Sequence, residues 1–234
     1  MIPKKIHYCW FGNKELDKKS KACIASWKKF LPEYEIIEWN EKNFDLNQND
    51  FVREAYEQNK YAFVTDYVRL YVLYHYGGIY MDTDVEVVKS LDDLLQNRAF
   101  TGVERGEYCI TGTLGAEQHH PWIGELLKYY DGKFFVLDNG ELNITTNTVI
   151  ITTITKKLYG WKEGNRLSKL DDDIVIYPFE FLCAKNGMTN EYLITENTYT
   201  IHHFNGSWAT NSNKLFKNYI RLIRRIFLKK KYKV

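Results

Sequence analysis

Two aspartates, Asp82 and Asp84, stand two positions apart in "GGIYMDTDVEVV", residues 77–88. If that stretch is a strand, residues two apart face the same way, and the two carboxylates sit roughly 7 Å apart along the backbone. Carboxylates sharing a face repel each other unless something positive compensates them. A divalent cation is one answer. Mg²⁺ and Mn²⁺ take hard oxygen ligands, commonly one or two carboxylates, and diphosphate oxygens complete the shell. A solvated strand face or turn is the other answer, because a D-x-D string is short enough to arise by chance.

A second pair lies just upstream. "TDYVRLYVLYHYGG", residues 65–78, puts Asp66 and Arg69 three apart on one face of a helix, with Val68, Leu70, Val72 and Leu73 supplying apolar packing. On an exposed helix such a pair is a surface contact of little energetic worth. This helix, however, leads through Gly77 and Gly78 straight into the aspartate segment, so four charged groups can meet at one sheet end. Open α/β sheets gather their ligands at the carboxyl ends of strands. Near the other end of the chain, "IHHFNGSW", residues 201–208, offers His202 and His203. Adjacent strand residues face opposite ways, so only one of the two can join the aspartates. His119 and His120, just before Pro121, read as the start of a helix rather than as metal ligands.

The elements that must position these residues alternate in type. An apolar strand falls within residues 1–12, a helix within "KKSKACIASWKKF" stops near Pro32, and a strand spans Tyr34 to Trp39. Strand, helix, strand is the usual opening of an α/β sheet. Two helices follow between residues 49 and 76, with Thr65 a candidate N-cap for the second and Gly77 its C-cap. Residues 92–121 read as mixed helix and strand, and "HPWIGELLKYYDGKF" as a helix beginning near Pro121. "TTNTVIITTITKKLYG" is rich in β-branched residues and open to either assignment. Two late strands lie in "DDDIVIYPFEFLCA" and "YTIHHFNGSW", and an amphipathic helix closes the chain.

Composition narrows the class. A chain of 234 residues fits one sizeable domain, here taken as residues 1–213 with a basic amphipathic helix at 214–234. No apolar run reaches membrane-spanning length and the N-terminus lacks a signal-peptide core, so the chain is expected in the cytoplasm. Four cysteines, Cys9, Cys23, Cys109 and Cys183, stand far apart with no C-x-x-C pair, which argues against a zinc knuckle and for free buried thiols. Of the 32 Lys and Arg, nine fall in residues 214–234, where there is no acid, so 23 bases face all 30 acids in the rest of the chain. A basic tail on an acidic body argues against a nucleic-acid-binding domain and for a local electrostatic contact, such as one with an anionic membrane surface. A docked terminal helix with a solvated basic face is the plainer reading of the same tail.

The ordered set "IPKKIHYCWFG", "FVTDYVRLYVLYHYGGIYMDTDVEVVKSLDDLL", "GTLGAEQHHPW" and "IHHFNGSW" resembles the glycosyltransferases grouped by sequence as family 32. It also resembles the wider set sharing a glycosyltransferase sugar-binding region containing a DXD motif, which includes capsular and lipopolysaccharide transferases and the glucosylating domains of clostridial toxins. The resemblance is strongest from Tyr61 to Leu95. It implies a GT-A-type α/β nucleotide-sugar-binding fold, with a mixed central sheet flanked by helices, and a Mn or Mg cation. It implies a metal-dependent, retaining transferase moving a sugar from a nucleoside-diphosphate sugar, a UDP-sugar in the first instance, to a glycan or lipid-linked acceptor. Cell-surface polysaccharide synthesis at the inner membrane face is the implied setting.

Residue by residue, the resemblance puts Trp10 on the nucleotide base, and Asp66 and Arg69 on ribose, donor sugar and phosphate. It makes Asp84 the direct metal ligand, with Asp82 reaching ribose and metal-bound water. His202 completes the metal shell, Ser207 reaches the metal or the diphosphate, and Trp208 contacts the donor. Asp82, Asp84 and Arg69 then carry the catalytic work, and no residue stands out as a base. Two rivals remain. A haloacid-dehalogenase-like phosphohydrolase also uses D-x-D with Mg²⁺, but wants Thr or Val where this chain has Glu86. A non-catalytic carbohydrate-binding module suits the 16% aromatic content and leaves the Asp66, Arg69, Asp82, Asp84 set unexplained.

Overall fold

The computed structural model describes residues 1–104 and 107–205. The chain opens with β1 (Lys5–Cys9), α1 (Lys18–Phe30) and β2 (Glu35–Trp39). Asp17 caps α1 by accepting from the Ser20 amide at 2.8 Å, and the helix ends one residue before Leu31 and two before Pro32. After a 3-10 turn come α2 (Asp50–Glu57) and α3 (Tyr61–Tyr76). Helix α3 starts four residues ahead of Thr65, which sits inside it rather than capping it. Burial of Phe63 and Val64 extends the helix past the local capping signal. Gly77, at φ 61°, closes it, its N–H donating to the Leu73 carbonyl.

From Gly77 the chain enters β3 (Gly78–Met81) and then β4 (Val85–Val87). The two aspartates lie between these strands in a turn, not within one strand as expected. The Val85 amide closes the turn on the Asp82 carbonyl at 3.0 Å, and the Asp82 amide is held by the Gly112 carbonyl at 2.9 Å. The carboxylates therefore converge by a bend of the backbone and not by the pleat.

The middle of the chain supplies β5 (Ala99–Glu104), β6 (Tyr108–Cys109), β7 (Thr113–Ala116) and α4 (Pro121–Lys128), and then the β-branched run, which is helical as α5 (Asn147–Tyr159). β8 (Ser168–Leu170), β9 (Ile174–Tyr177), α6 (Phe179–Leu182) and β10 (Thr200–His202) complete the described chain. "DDDIVIYPFEFLCA" thus holds a strand and a helical turn.

The eight-stranded central sheet runs β2-β1-β3-β7-β5-β9-β8, with β6 paired to β5. β2, β1 and β3 are mutually parallel, β7 runs against β3 and β5, β9 is parallel to β5, and β8 is antiparallel to β9. β4 leaves this sheet and pairs antiparallel with β10 in a separate two-stranded sheet. Helix α3 is buried on most sides, with Val64, Val68, Leu70, Val72 and Leu73 wholly inaccessible, so it is a core helix with no solvated stripe. All four cysteines are free and buried. Among the described residues no helix is long and apolar enough to cross a membrane.

Candidate active site

β1 and β3 run in parallel with Ile6 opposite Ile79 and His7 opposite Tyr80. Their carboxyl ends therefore share one edge, where β1 delivers Cys9 and Trp10 and β3 delivers Asp82. Helix α3 crosses behind that edge and brings Asp66 and Arg69. The Arg69 guanidinium, 5% exposed, is clamped from every side. Its Nη2 lies 3.2 Å from Asp66 Oδ1 and 3.4 Å from Asp82 Oδ1, its Nη1 donates to the Thr111 carbonyl at 2.6 Å, and its Cζ stands 4.7 Å from the centre of the Tyr80 ring. Burial opposes this charge, but Asp82, Tyr80 and Asp66 together hold Arg69 firmly protonated.

Asp82 is oriented by the same group. Its Oδ1 accepts from the Tyr80 hydroxyl at 2.9 Å and faces Arg69, while Oδ2 lies 4.0 Å from His202 Nε2. Asp66 is further tied to the first residue of α5. Its Oδ2 accepts from the Asn147 amide at 3.2 Å, and the Asn147 side chain donates to the Asp66 carbonyl at 2.6 Å and contacts the Tyr130 hydroxyl at 3.2 Å. Burial pushes the Asp66 carboxyl up to about 6, against the opposing pull of Arg69 and the Asn147 amide.

The β4–β10 ladder places the histidines. His202 pairs with Val85, and the His203 amide donates to the Asp84 carbonyl at 3.0 Å. His202 Nε2 thereby comes within 3.2 Å of Asp84 Oδ1, whereas His203 turns the other way and meets Glu86 Oε2 at 2.8 Å. The Trp27 indole donates to the Val85 carbonyl at 2.7 Å, and the Val87 amide donates to Ser26 Oγ at 2.9 Å, so α1 holds β4 in place. Burial disfavours a charged imidazole, but the adjoining Asp84 carboxylate raises His202 well above the ordinary histidine range.

Asp82, Asp84 and His202 each offer one donor atom, all within 4.8 Å of one another. Two carboxylates and an imidazole on a half-buried edge fit a divalent cation of the Mn²⁺ or Mg²⁺ kind. Trp10 lies at the same sheet edge, half-buried, with its indole N–H on the Lys14 carbonyl at 2.5 Å. His120 is buried and caps α4, accepting from the Trp122 amide at 3.2 Å, while its Nε2 meets the Asp172 carbonyl at 2.9 Å. Ser207, Trp208 and the helix expected at 214–234 lie outside the described residues. The sequence reading missed Tyr80, Thr111 and Asn147. Tyr80 stands two before Asp82 and so was within reach of a pattern argument; Thr111 and Asn147 carry no local signal.

The mixed sheet flanked by helices, with an acidic turn at its carboxyl edge, is a GT-A-type fold. Residues 17–101 match the family described as "Glycosyltransferase sugar-binding region containing DXD motif". The solved structure "PaToxG Glycosyltransferase" shares the fold at a TM-score of 0.50 and 21% identity, covering 67% of this chain and 69% of that one. Among curated proteins, the chain is 29% identical over 134 residues to Inositol phosphoceramide mannosyltransferase 3 of Schizosaccharomyces pombe, covering 54% of this chain and 36% of the relative. It is 30% identical over 167 residues to Inositol phosphoceramide mannosyltransferase 2 of the same yeast, covering 67% of this chain and 47% of the relative. It is 28% identical over 229 residues to Uncharacterized glycosyltransferase L373 of Acanthamoeba polyphaga mimivirus, covering 89% and 84%. The chain thus spans less than half the length of these two yeast relatives.

Proposed function

We propose that the protein moves a sugar from a nucleoside-diphosphate sugar to a hydroxyl of a glycan or lipid-linked acceptor, with Mn²⁺ or Mg²⁺ held by Asp84, His202 and, through water, Asp82. The observation that carries this reading is the convergence of two carboxylates and an imidazole within 4.8 Å, beside a buried, permanently charged Arg69. When bound, the cation supplies charge neutralisation to the departing diphosphate. Arg69 adds a fixed positive charge at the same edge and costs no reorganisation as negative charge develops. Because its donors are engaged by Thr111, Asp66 and Asp82, it acts chiefly through its field and by holding the two aspartates in place. By resemblance, Asp66 is assigned to a sugar or ribose hydroxyl and Trp10 to the base. Ser207 and Trp208 are assigned to the diphosphate and donor by resemblance.

A UDP-sugar remains the first donor to test, with retention of anomeric configuration by front-face attack. The names of the yeast relatives favour a second possibility, a mannosyl donor and an inositol phosphoceramide acceptor. In either case the basic segment 214–234 suits an acceptor presented at the cytoplasmic membrane face, in cell-surface polysaccharide or glycolipid synthesis. The test is a thermal-shift panel of UDP- and GDP-sugars with and without Mn²⁺, because a ligand that binds only the folded state raises the melting temperature. A Mn²⁺-dependent shift with one sugar nucleotide is expected. Equal shifts with and without metal, or none with any nucleotide, would overturn the reading.

A further inference from the structure

The second nitrogen of His202 has no partner among the described residues: Nδ1 is buried and makes no hydrogen bond. The Cys183 thiol lies beside the His202 ring and interacts with it, and its sulfur is also 3.7 Å from the Lys185 carbonyl. A metal-binding histidine is ordinarily aimed by its other ring nitrogen, which donates to a carboxylate, carbonyl or water. Here a stack of rings takes that place. The Phe204 ring lies on the His202 ring with centroids 4.0 Å apart and an interplanar angle of 28°.

Glycines close the stack at both ends. A Cβ on Gly112 would come within 2.9 Å of His202 Nδ1, and a Cβ on Gly187 within 2.9 Å of Phe204 Cγ. The order is Gly187, Phe204, His202, Gly112, and a side chain at either glycine would meet a ring of the stack. Phe204 holds its position in a left-handed backbone conformation, φ 54°. That conformation is costly for a bulky residue and persists only where the surroundings over-determine it. Gly112 is also the residue whose carbonyl holds the Asp82 amide at 2.9 Å, so one backbone position bears on two of the three proposed ligands.

We propose that Phe204 is a positioning residue: stacked on His202 and backed by Gly187, it presses the imidazole onto Gly112 and so aims Nε2 at Asp84 and Asp82. The proposal rests on the metal reading of the site and adds to it how the ring is aimed.

The test uses the full chain. Mn²⁺ affinity is read from the EPR signal of the free ion, and the His202 ring protons, assigned by their loss in His202→Ala, are followed by NMR without metal. Phe204→Leu should weaken Mn²⁺ binding by about 10- to 100-fold, the range for lost support around a ligating histidine, and Phe204→Tyr, which keeps the stack, should restore it. Gly112→Ala should weaken binding from the opposite side with Phe204 untouched, which keeps the proposal testable if Phe204→Leu fails to fold. In a His202→Ala background Phe204→Leu should change Mn²⁺ affinity no further. Ring protons shifted upfield in the wild type should return to ordinary positions in Phe204→Leu. Unchanged ring shifts, wild-type Mn²⁺ affinity in a folded Phe204→Leu, or an equal loss with and without His202 would each overturn the proposal. A wild type with intact ring shifts that takes up no Mn²⁺ would instead remove the metal reading.

Discussion

The indole N–H of Trp39 donates to Nδ1 of His7 across 3.0 Å. His7 Nε2 lies 2.8 Å from the Gly77 carbonyl, so Nδ1 accepts, Nε2–H donates, and the ring is neutral. His7 is wholly buried, and that burial lowers it to about 4 from 6.5, against the pull of the Gly77 carbonyl.

In the pH window between those two values the unfolded chain binds a proton at His7 that the folded chain refuses. The stability His7 contributes is therefore fully present above pH 6.5 and is lost as pH falls toward 4. Urea unfolding of the wild type and of His7→Gln should diverge across this window by up to about 3 kcal/mol. A constant difference between the two proteins from pH 7.5 to 4 would show that His7 is not held neutral.

Asp84→Asn keeps the shape of the turn and removes one charge from the proposed cation site. The Mn²⁺-dependent rise in melting temperature should vanish, and donor turnover with it, while the far-UV circular dichroism stays that of the wild type. Undiminished metal-dependent turnover would sink the assignment.

Arg69 pairs with both Asp66 and Asp82, while His202 Nε2 lies 4.0 Å from Asp82 alone. Arg69→Ala leaves both carboxylates without it and should destabilise the fold by about 3–5 kcal/mol, the usual loss when one partner of a buried pair is removed. Adding Asp66→Asn discards one stranded charge, so the double variant should lose less than the sum of the singles. Strictly additive losses in chemical denaturation would mean that the two side chains do not act as a unit.

Trp10→Ala should weaken UDP or GDP binding by about 1–3 kcal/mol, the range for loss of an aromatic face beneath a base. Mn²⁺ affinity should not move, because Trp10 is half-buried just after β1 and is not one of the three grouped donors. Calorimetry that finds nucleotide affinity unchanged would take the base off this ring.

Much of the framework was legible because it is local. The apolar strand before Trp10, the stop near Pro32, the three-residue spacing of Asp66 and Arg69 and the glycine end of α3 each depend on neighbours in sequence. What escaped depends on distant neighbours. Thr65 looked like a cap until burial of Phe63 and Val64 carried α3 past it. The aspartate pair looked like a strand, but the Gly112 carbonyl takes the Asp82 amide and bends the chain onto β4. Thr146 leads into a helix despite its β-branched successors because Ile150, Ile151 and Thr155 are buried. Glu54 carries no signal in sequence, yet its Oε2 accepts from both the Phe135 and Val136 amides at 2.9 Å and so anchors the loop that leads to Asn147. Alternation along a strand predicts that only one of His202 and His203 faces the aspartates, and the β4–β10 register turns His202 that way.

The small β4–β10 sheet also fixes when the site can exist. Its first strand is made early, with both aspartates, and its second is among the last described residues to leave the ribosome. A chain still short of residue 200 already holds Asp66, Arg69, Asp82 and Asp84, and must fold for a time around an acidic turn whose histidine has not been synthesised. Long-range pairing of this kind forms late and slowly. The strand that carries His202 is made long after the aspartates, so the three proposed ligands can be grouped only once β10 has been synthesised and has paired with β4.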